Sequence, residues 1–439
     1  MDRPQRILVI GHTDVGRRTC SALADAGVES IHLGEPSDAE LRAVMHEVDG
    51  VAVMLHDDIR ALRYGLVVEH IRPGIRLFVA MFARTVREQL QSAVPNCVVL
   101  SPAAISVPSI VAAAISPEHS AIRRARSQQE DAWVAIDAPQ QTVTPWHTPR
   151  ALRLRGWLGR TLAQFRPYDA GSAVLVSGAI GLLLVIVADT FVGMRHEEPL
   201  RALYDAARTT ATIAAPNLPN EPGLLVWSTV AAILVMGLTA IFGAGIVHHL
   251  LSGRHVALFG RRVAPRSGHV IIAGMGQVGV RLAQELRALG IAVVGLDRNS
   301  NAAGSVIARM SNIPILIGNA SSQHMLRRAG IGRCLAVIAA GSDDRDNVAM
   351  AVAALGVRPD VRVVLRAGSD AAIDETTSLF HVGSVVDVNG LTASFVVRSM
   401  VSATPYAVVA TGHSVACVDD AGLPLGPQRS VPARCACSS

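Results

Sequence analysis

HVIIAGMGQVGVRLAQELRALGIAVVGLD, residues 269–297, is the stretch on which the fold turns. An apolar run reads as a buried strand, and Gly274-x-Gly276-x-x-Gly279 follows it directly. A helix with apolar spacing comes next, then a second apolar run that ends on Asp297. The three glycines do different things. Gly274 permits the tight turn, Gly276 lets the backbone approach a pyrophosphate, and Gly279 lets the helix pack on the strand. The helix N-terminus, with Met275, Gln277 and Val278 around those glycines, offers N–H groups and a positive dipole end to phosphate. Asp297 stands 18 residues past Gly279, where a carboxylate takes ribose hydroxyls, which favours NAD(H) or an adenosine nucleotide over NADP(H). Arg298 keeps NADP(H) open as a minor option.

Strand, glycines, helix and acid together make one half of a Rossmann fold. The chain continues with residues 313–331, 335–355, 361–367 and 381–388, whose alternating strand and helix patterns extend one doubly wound parallel sheet. No His or Cys stands at a strand end as a catalytic group, so an oxidoreductase, a third possibility, lacks a substrate domain and no enzyme is expected.

These residues resemble the RCK family, the regulators of potassium conductance, also called TrkA N-terminal or KTN domains. GNASSQHMLRRAGI (318–331) is similar to that family's GDAT...L..AGI element, and VIAAGSDDRDN (337–347) to its VIAAT.DD..N element. The resemblance covers about 266–400, with Asn319 in place of the usual Asp. It implies that Asn319 and Ala320 join Gly274–Gly279, Asp297 and Arg298 in the cleft. It further implies NAD(H), ATP or ADP as a regulatory ligand whose binding is passed to an ion pathway.

An eroded copy of the same unit stands at the N-terminus. Residues 7–33 match 270–296 with a constant shift of 263, pairing Gly11, Gly16 and Gly27 with Gly274, Gly279 and Gly290. Residues 70–79 match 356–365 with a shift of 286, so the first copy lacks 23 residues. It carries Thr13 at the middle glycine and Gly34 at the ribose acid, so it is expected to be structural and to assemble with the second copy.

Between the copies lie two apolar runs, 170–188 and 223–247, without a charged residue. Each is long enough to cross about 30 Å of hydrocarbon as a helix. Asp189 falls at the end of the first, and Tyr168 and Trp227 sit near opposite interfaces. Arg150, Arg153, Arg155, Arg160 and Arg166 precede the pair, and Arg254, Arg261, Arg262 and Arg266 follow it. The connection holds Arg195, Arg201 and Arg208 against Glu197, Glu198, Asp205 and Glu221. That bias predicts a plasma-membrane hairpin with both termini cytoplasmic.

Composition narrows the classes further. Half of the 439 residues are hydrophobic, and the mean hydropathy is +0.36. All 40 basic residues are Arg. Without Lys there is neither a P-loop phosphate lysine nor a Schiff base. The six Cys, at 20, 97, 334, 417, 435 and 437, form no CxxC pair, and no metal site is assigned. MDRPQRILVIG reads as a first strand, not a signal peptide.

The organisation expected is therefore a degenerate N-terminal Rossmann-like domain (1–116), a linker with a short strand at WVAID and a basic juxtamembrane helix (117–166), two membrane helices (167–252), a nucleotide-binding domain (266–403) and a short irregular tail (404–439). Within the membrane segment, Pro199 opens a pore-like helix, and TATIAAPN aligns with the potassium-channel pattern TTVGYGD. This places Thr209, Thr210, Thr212, Ile213, Ala214 and Ala215 at a pore lining, with Ala214-Ala215-Pro216 in place of Gly-Tyr-Gly. A nucleotide-regulated monovalent cation channel or transporter subunit, a homotetramer or ring in contact with membrane lipid, is the expectation. A non-conducting membrane-anchored nucleotide sensor that regulates a partner is the alternative. No nucleic-acid partner is expected.

Overall fold

The computed structural model describes residues 5–81, 84–125, 132–137, 142–164, 170–195, 197–211, 222–251, 265, 267–300, 303–368, 383–402, 404–411 and 414–418. Two compact units emerge, residues 1–158 with 265–439, and residues 159–264.

In the first unit, the N-terminal copy runs β1 (Arg6–Ile10), α1 (Asp14–Asp25), β2 (Glu29–Leu33), α2 (Asp38–Val44), β3 (Gly50–Val53), α3 (Asp58–Ile71), β4 (Arg76–Ala80), α4 (Arg84–Ala93), β5 (Cys97–Leu100) and α5 (Pro102–Ile115). Its five parallel strands lie in the order β2-β1-β3-β4-β5. After it come β6 (Ala121–Arg124), β7 (Trp133–Asp137), β8 (Thr142–Trp146) and α6 (Arg150–Gln164).

The second unit holds α7 (Ala170–Gly193), α8 (Pro199–Thr210) and α9 (Pro222–Leu251). Its windows Val174–Gly193 and Leu225–Val247 are long and apolar enough to cross a membrane. Hydrophobicity runs all round both helices, and Leu183, Leu184, Phe191, Val226, Ile233 and Met236 are exposed, as a lipid-facing surface requires. Antiparallel packing of α7 on α9 rests on glycines. A β-carbon at Gly178 would lie 2.9 Å from the Phe242 nitrogen, and one at Gly245 would lie 2.7 Å from the Leu175 Cα. Small residues of this kind let membrane helices approach closely, where dispersion replaces the missing hydrophobic drive. Near the end of α7, the Trp227 indole donates to Asp189 Oδ1 at 3.0 Å. Tyr168 lies outside the described residues.

The C-terminal copy, again in the first unit, runs β9 (His269–Ala273), α10 (Gln277–Ala288), β10 (Ala292–Asp297), α11 (Ala303–Met310), β11 (Ile315–Ile317), α12 (Gln323–Arg328), β12 (Ala336–Ala339), α13 (Asp344–Val357), β13 (Arg362–Ala367), β14 (Ser384–Asp387) and α14 (Val388–Val401). A hairpin of β15 (Ala407–Thr411) and β16 (Ser414–Val418) closes the described chain. The six-stranded parallel sheet has the order β11-β10-β9-β12-β13-β14, the complete doubly wound arrangement. The five-stranded sheet is this one without a counterpart of β11. The two α/β Rossmann-like copies thus flank the apolar hairpin, and the missing stretch falls where the change of shift puts it.

The two copies exchange their last helices. Helix α14 packs on α1, α5 packs on α10, and α5 and α14 touch each other. Val396, Val397 and Met400 of α14 complete the core around Ile7, Val9, Leu23 and Phe78. Val107, Ile110, Val111 and Ala114 of α5 complete the core around Val270, Ile272, Leu282 and Leu286. Each fully buried aliphatic side chain contributes about 1.5–3 kcal/mol, so neither core is complete without the other copy's helix. Arg76 Nη1 donates to Met400 O at 2.7 Å, and its counterpart Arg362 Nη1 donates to Ala114 O at 3.0 Å. Each arginine satisfies a carbonyl in the last turn of the exchanged helix, where α-helices leave acceptors over.

Two expectations change here. Residues 117–166, expected to be mostly a linker, carry the three-stranded antiparallel sheet β6-β7-β8. Residues 404–439, expected to be irregular, contain the β15-β16 hairpin. Ala121 and Ile136 from the former pack with Ala407, Val409 and Val418 from the latter, so these strands are the closing hairpins of the two copies. Short strands that bury mainly Ala and Val against a partner distant in sequence carry too weak a periodicity to be read locally.

Candidate functional site

The candidate site is the glycine turn between β9 and α10. Gly274 has φ +86°, and a β-carbon there would lie 2.6 Å from the Gly341 nitrogen, so only glycine fits. A β-carbon at Gly279 would lie 2.0 Å from Gly274 O, so the helix seats on the turn through this residue. Gly276 differs from both. No atom of a residue beyond its chain neighbours lies within 4 Å of where its β-carbon would be, so the packing of the fold makes no use of its missing side chain. Gly276 is the N-cap of α10, and no side chain caps that helix. Gln277 is exposed beside it, whereas Met275 and Val278 turn inward. An open, uncapped N-terminus suits an anionic group, because amide hydrogens and the positive dipole end face outward.

Asp297 ends β10 across the turn. Its Oδ2 accepts from Met275 N at 2.9 Å and its Oδ1 from Asn299 N at 2.9 Å, which fixes the carboxylate over the glycine loop. Arg298 reaches Asp346 at 3.0 Å and donates to Asn319 Oδ1 at 3.5 Å. Asn319 Oδ1 also accepts from Ser321 N and Ser321 Oγ, each at 3.0 Å, with half-buried Ala320 between them. The structure therefore brings the ten cleft residues expected from sequence to the carboxyl edge of one sheet.

Two further residues, not singled out from the sequence, build this edge. Asn347, 3% exposed, accepts from Gly341 N at 2.9 Å and donates to Gly341 O and Arg366 O at 3.1 and 3.0 Å. It rivets the loop that walls Gly274. Arg366 Nη1 donates to Gly341 O at 3.2 Å, and burial pulls its guanidinium below the usual range while Asp344 opposes this. The signal for it was an arginine near the carboxyl end of the strand VRVVLRA, past the apolar run Val363–Leu365. Arg366, Val278 and Asn389 line a pocket together with Thr13, His56 and Pro102 of the first copy.

The first copy keeps the turn and loses the opening. Gly11 has φ +123°, and a β-carbon at Gly16 would lie 2.4 Å from Gly11 O, so the two fold-forming glycines persist. At the third, Thr13 Oγ1 accepts from Gly16 N at 3.1 Å and donates to Met54 O at 2.7 Å. The side chain caps α1 and occupies the helix N-terminus from within. Gly34 stands in the place of the acid, and a β-carbon there would lie 2.1 Å from the His12 ring.

Of the expected pore residues, Thr209 and Thr210 end α8, with hydroxyls donating to Asp205 O and Ala206 O at 3.0 Å each. Thr212, Ile213, Ala214 and Ala215 lie outside the described residues, as do Cys435 and Cys437. Among the described residues, no group of three or more His, Cys, Asp or Glu side chains is placed to hold a metal.

Comparison with known proteins bears on the fold. The chain is 23% identical over 206 residues to Potassium channel protein 1 of Methanocaldococcus jannaschii, a match covering 45% of this chain and 62% of that protein. It thus spans less than two thirds of that relative's length. The solved structure titled "Crystal Structure of the GsuK RCK domain" aligns with a TM-score of 0.51 at 14% identity, over 90% of this chain and 76% of the other. "GsuK channel bound to NAD" aligns with a TM-score of 0.50 at 14% identity, over 92% and 65%. At such identities the likeness is one of fold. Residues 270–386 match the TrkA-N domain model, and the C-terminal copy is a TrkA-N domain.

Proposed function

We propose that this chain is a membrane protein in which an adenine nucleotide, NAD(H), ADP or ATP, bound at Gly274–Gly279 and Asp297, regulates movement of a monovalent cation of the potassium type. One observation carries the ligand assignment: Gly276 opens above an uncapped helix, while the same position in the first copy is filled by Thr13. One nucleotide per chain follows. The similarity to a potassium channel protein and the apolar pair α7 and α9 support the ion pathway. Two helices cannot enclose a water-filled path, so several copies, four in the simplest case, surround the axis. Both termini then lie in the cytoplasm, in keeping with the arginine bias.

Ala214-Ala215-Pro216 favours a second reading. A potassium filter needs successive carbonyls pointing inward, which glycines permit and this tripeptide does not. The chain then either conducts with weak selectivity or acts as a non-conducting sensor on a partner transporter. Flux into proteoliposomes, with and without NADH, NAD⁺, ADP or ATP, separates these outcomes. Nucleotide-dependent flux with similar potassium and sodium reversal potentials is expected. A strongly potassium-selective current overturns the reading of the tripeptide, and binding without any flux leaves the sensor.

A further inference from the structure

The stretch that leads from the first copy to the first apolar helix is seated, over residues 146–156, on the second copy. Trp146, 8% exposed, belongs to the core built around Val270 and Leu286. Thr148, also 8% exposed, donates from Oγ1 to Leu289 O at 2.7 Å. Arg153 donates to Thr148 O at 3.2 Å and lays its stem along Gly290, where a β-carbon would lie 3.3 Å from Arg153 Cγ and Cδ. One helical turn on, a β-carbon at Gly156 would lie 3.6 Å from Ala292 Cβ. Gly268 has φ +62°, and a β-carbon there would lie 2.8 Å from the Arg155 carbonyl carbon.

Gly268, Gly290 and Ala292 all lie at the amino edge of the six-stranded sheet, opposite the edge that carries Gly274–Gly279. Gly268 is also where the chain returning from the second apolar helix enters β9. The outgoing helix α6 therefore rests, backbone on backbone, on the incoming strand, and glycines make this approach possible.

We propose that residues 146–156 form a fixed joint that ties the start of α7 to the nucleotide-binding copy. A nucleotide-dependent movement of that copy then reaches both apolar helices instead of only the second, to which it is joined covalently. This rests on the nucleotide reading above. Rigid contacts of this kind carry coupling between distant sites when a two-state element lies at one end.

The joint can be tested by locking it. Gly156→Cys with Ala292→Cys places two β-carbons within disulfide range. Full-length protein in nanodiscs is oxidised with and without NADH or ADP. Hydrogen exchange of α7 and α9 and calorimetric affinity are then measured, with Thr148→Val and Gly268→Val as unseating variants. The expected result is near-complete cross-linking in either state, affinity within about twofold of the parent, and a retained nucleotide-dependent change in exchange of α7. Thr148→Val, which is milder than Gly268→Val and keeps the fold, is expected to lose the α7 response while retaining that of α9. A disulfide that forms in only one state overturns the joint. So does a locked protein whose α7 no longer responds, an unseated one whose α7 still does, or a parent that binds nucleotide with no α7 response. If the parent binds neither NADH nor ADP, the nucleotide reading fails. The joint then stands on full cross-linking with slow exchange of residues 150–156 and falls on fast exchange there.

Discussion

The two glycine turns of this chain, at residues 11–16 and 274–279, share a backbone path and differ in what occupies the helix N-terminus. Gly11 and Gly16 repeat the contacts of Gly274 and Gly279, because those glycines are required by the turn and by the packing of helix on strand. Thr13 and Gly276 stand at the one position where the fold tolerates either an open space or a capping hydroxyl. Glycines that the fold requires thus stand in both copies, and the glycine whose missing side chain the fold does not use stands in one. The difference separates two roles that a glycine motif read alone merges.

The comparison breaks most sharply at Gly276. Gly276→Val puts a β-carbon where no residue beyond its chain neighbours lies within 4 Å, so the fold is expected to be kept at a loss of about 1 kcal/mol, valine being a poor N-cap, while the phosphate approach is blocked. Calorimetry should show adenine-nucleotide affinity lowered at least about 100-fold, about 3 kcal/mol, with a cooperative melting transition retained. Retained affinity would remove the site.

An effect of similar size on stability comes from His269, which is fully buried at the start of β9, donates from Nε2 to Ala329 O at 2.7 Å, and has no histidine counterpart in the first copy. Burial pulls its imidazole down from 6.5 to about 4. The unfolded chain takes up the proton first as pH falls. Its contribution is therefore present above pH 6.5, declines between 6.5 and about 4, and is lost below that. Over that window about 3 kcal/mol is expected to disappear from the C-terminal copy. Denaturation of the parent and of His269→Leu across this pH range checks it, the variant showing the flatter profile.

Asp297→Ala follows. Removing a carboxylate that orders the glycine loop and is placed to take ribose hydroxyls is expected to weaken nucleotide binding by about 1.5–3 kcal/mol. Unchanged affinity would show that the carboxylate has only the structural bonds to Met275 and Asn299.

The smallest effects test the symmetry of the exchange. Arg76→Met and Arg362→Met each remove one hydrogen bond to the last turn of a helix from the other copy. Each is expected to cost about 1 kcal/mol. Nearly equal losses in chemical denaturation sharpen the equivalence of the copies, and a loss at one position alone breaks it.

Much of this was legible residue by residue. The strand-glycine-helix-acid series, the repeat with its change of shift from 263 to 286, and the charge-free runs rest on local rules: a backbone at positive φ needs glycine, a buried parallel strand is apolar throughout, and a span has a minimum length. Of the strands in residues 117–166 and 404–418 only the one at WVAID was legible, since Ala121 and Ile136 bury their side chains against Ala407, Val409 and Val418, far away in the chain.

The sequence alone determined that two copies of one α/β unit flank an apolar hairpin and that the second copy carries all of Gly274, Gly276 and Gly279, because the first follows from burial periodicity and the second is read off residue by residue. Only the tertiary structure decided that α5 and α14 are exchanged, that Arg76 and Arg362 close the exchange, that Asn347 and Arg366 build the wall of the cleft, and that residues 146–156 seat on the amino edge of the second sheet. These are pairings between groups far apart in the chain. An apolar helix carries no mark of which apolar surface it covers, and an arginine carries none of which carbonyl it will reach.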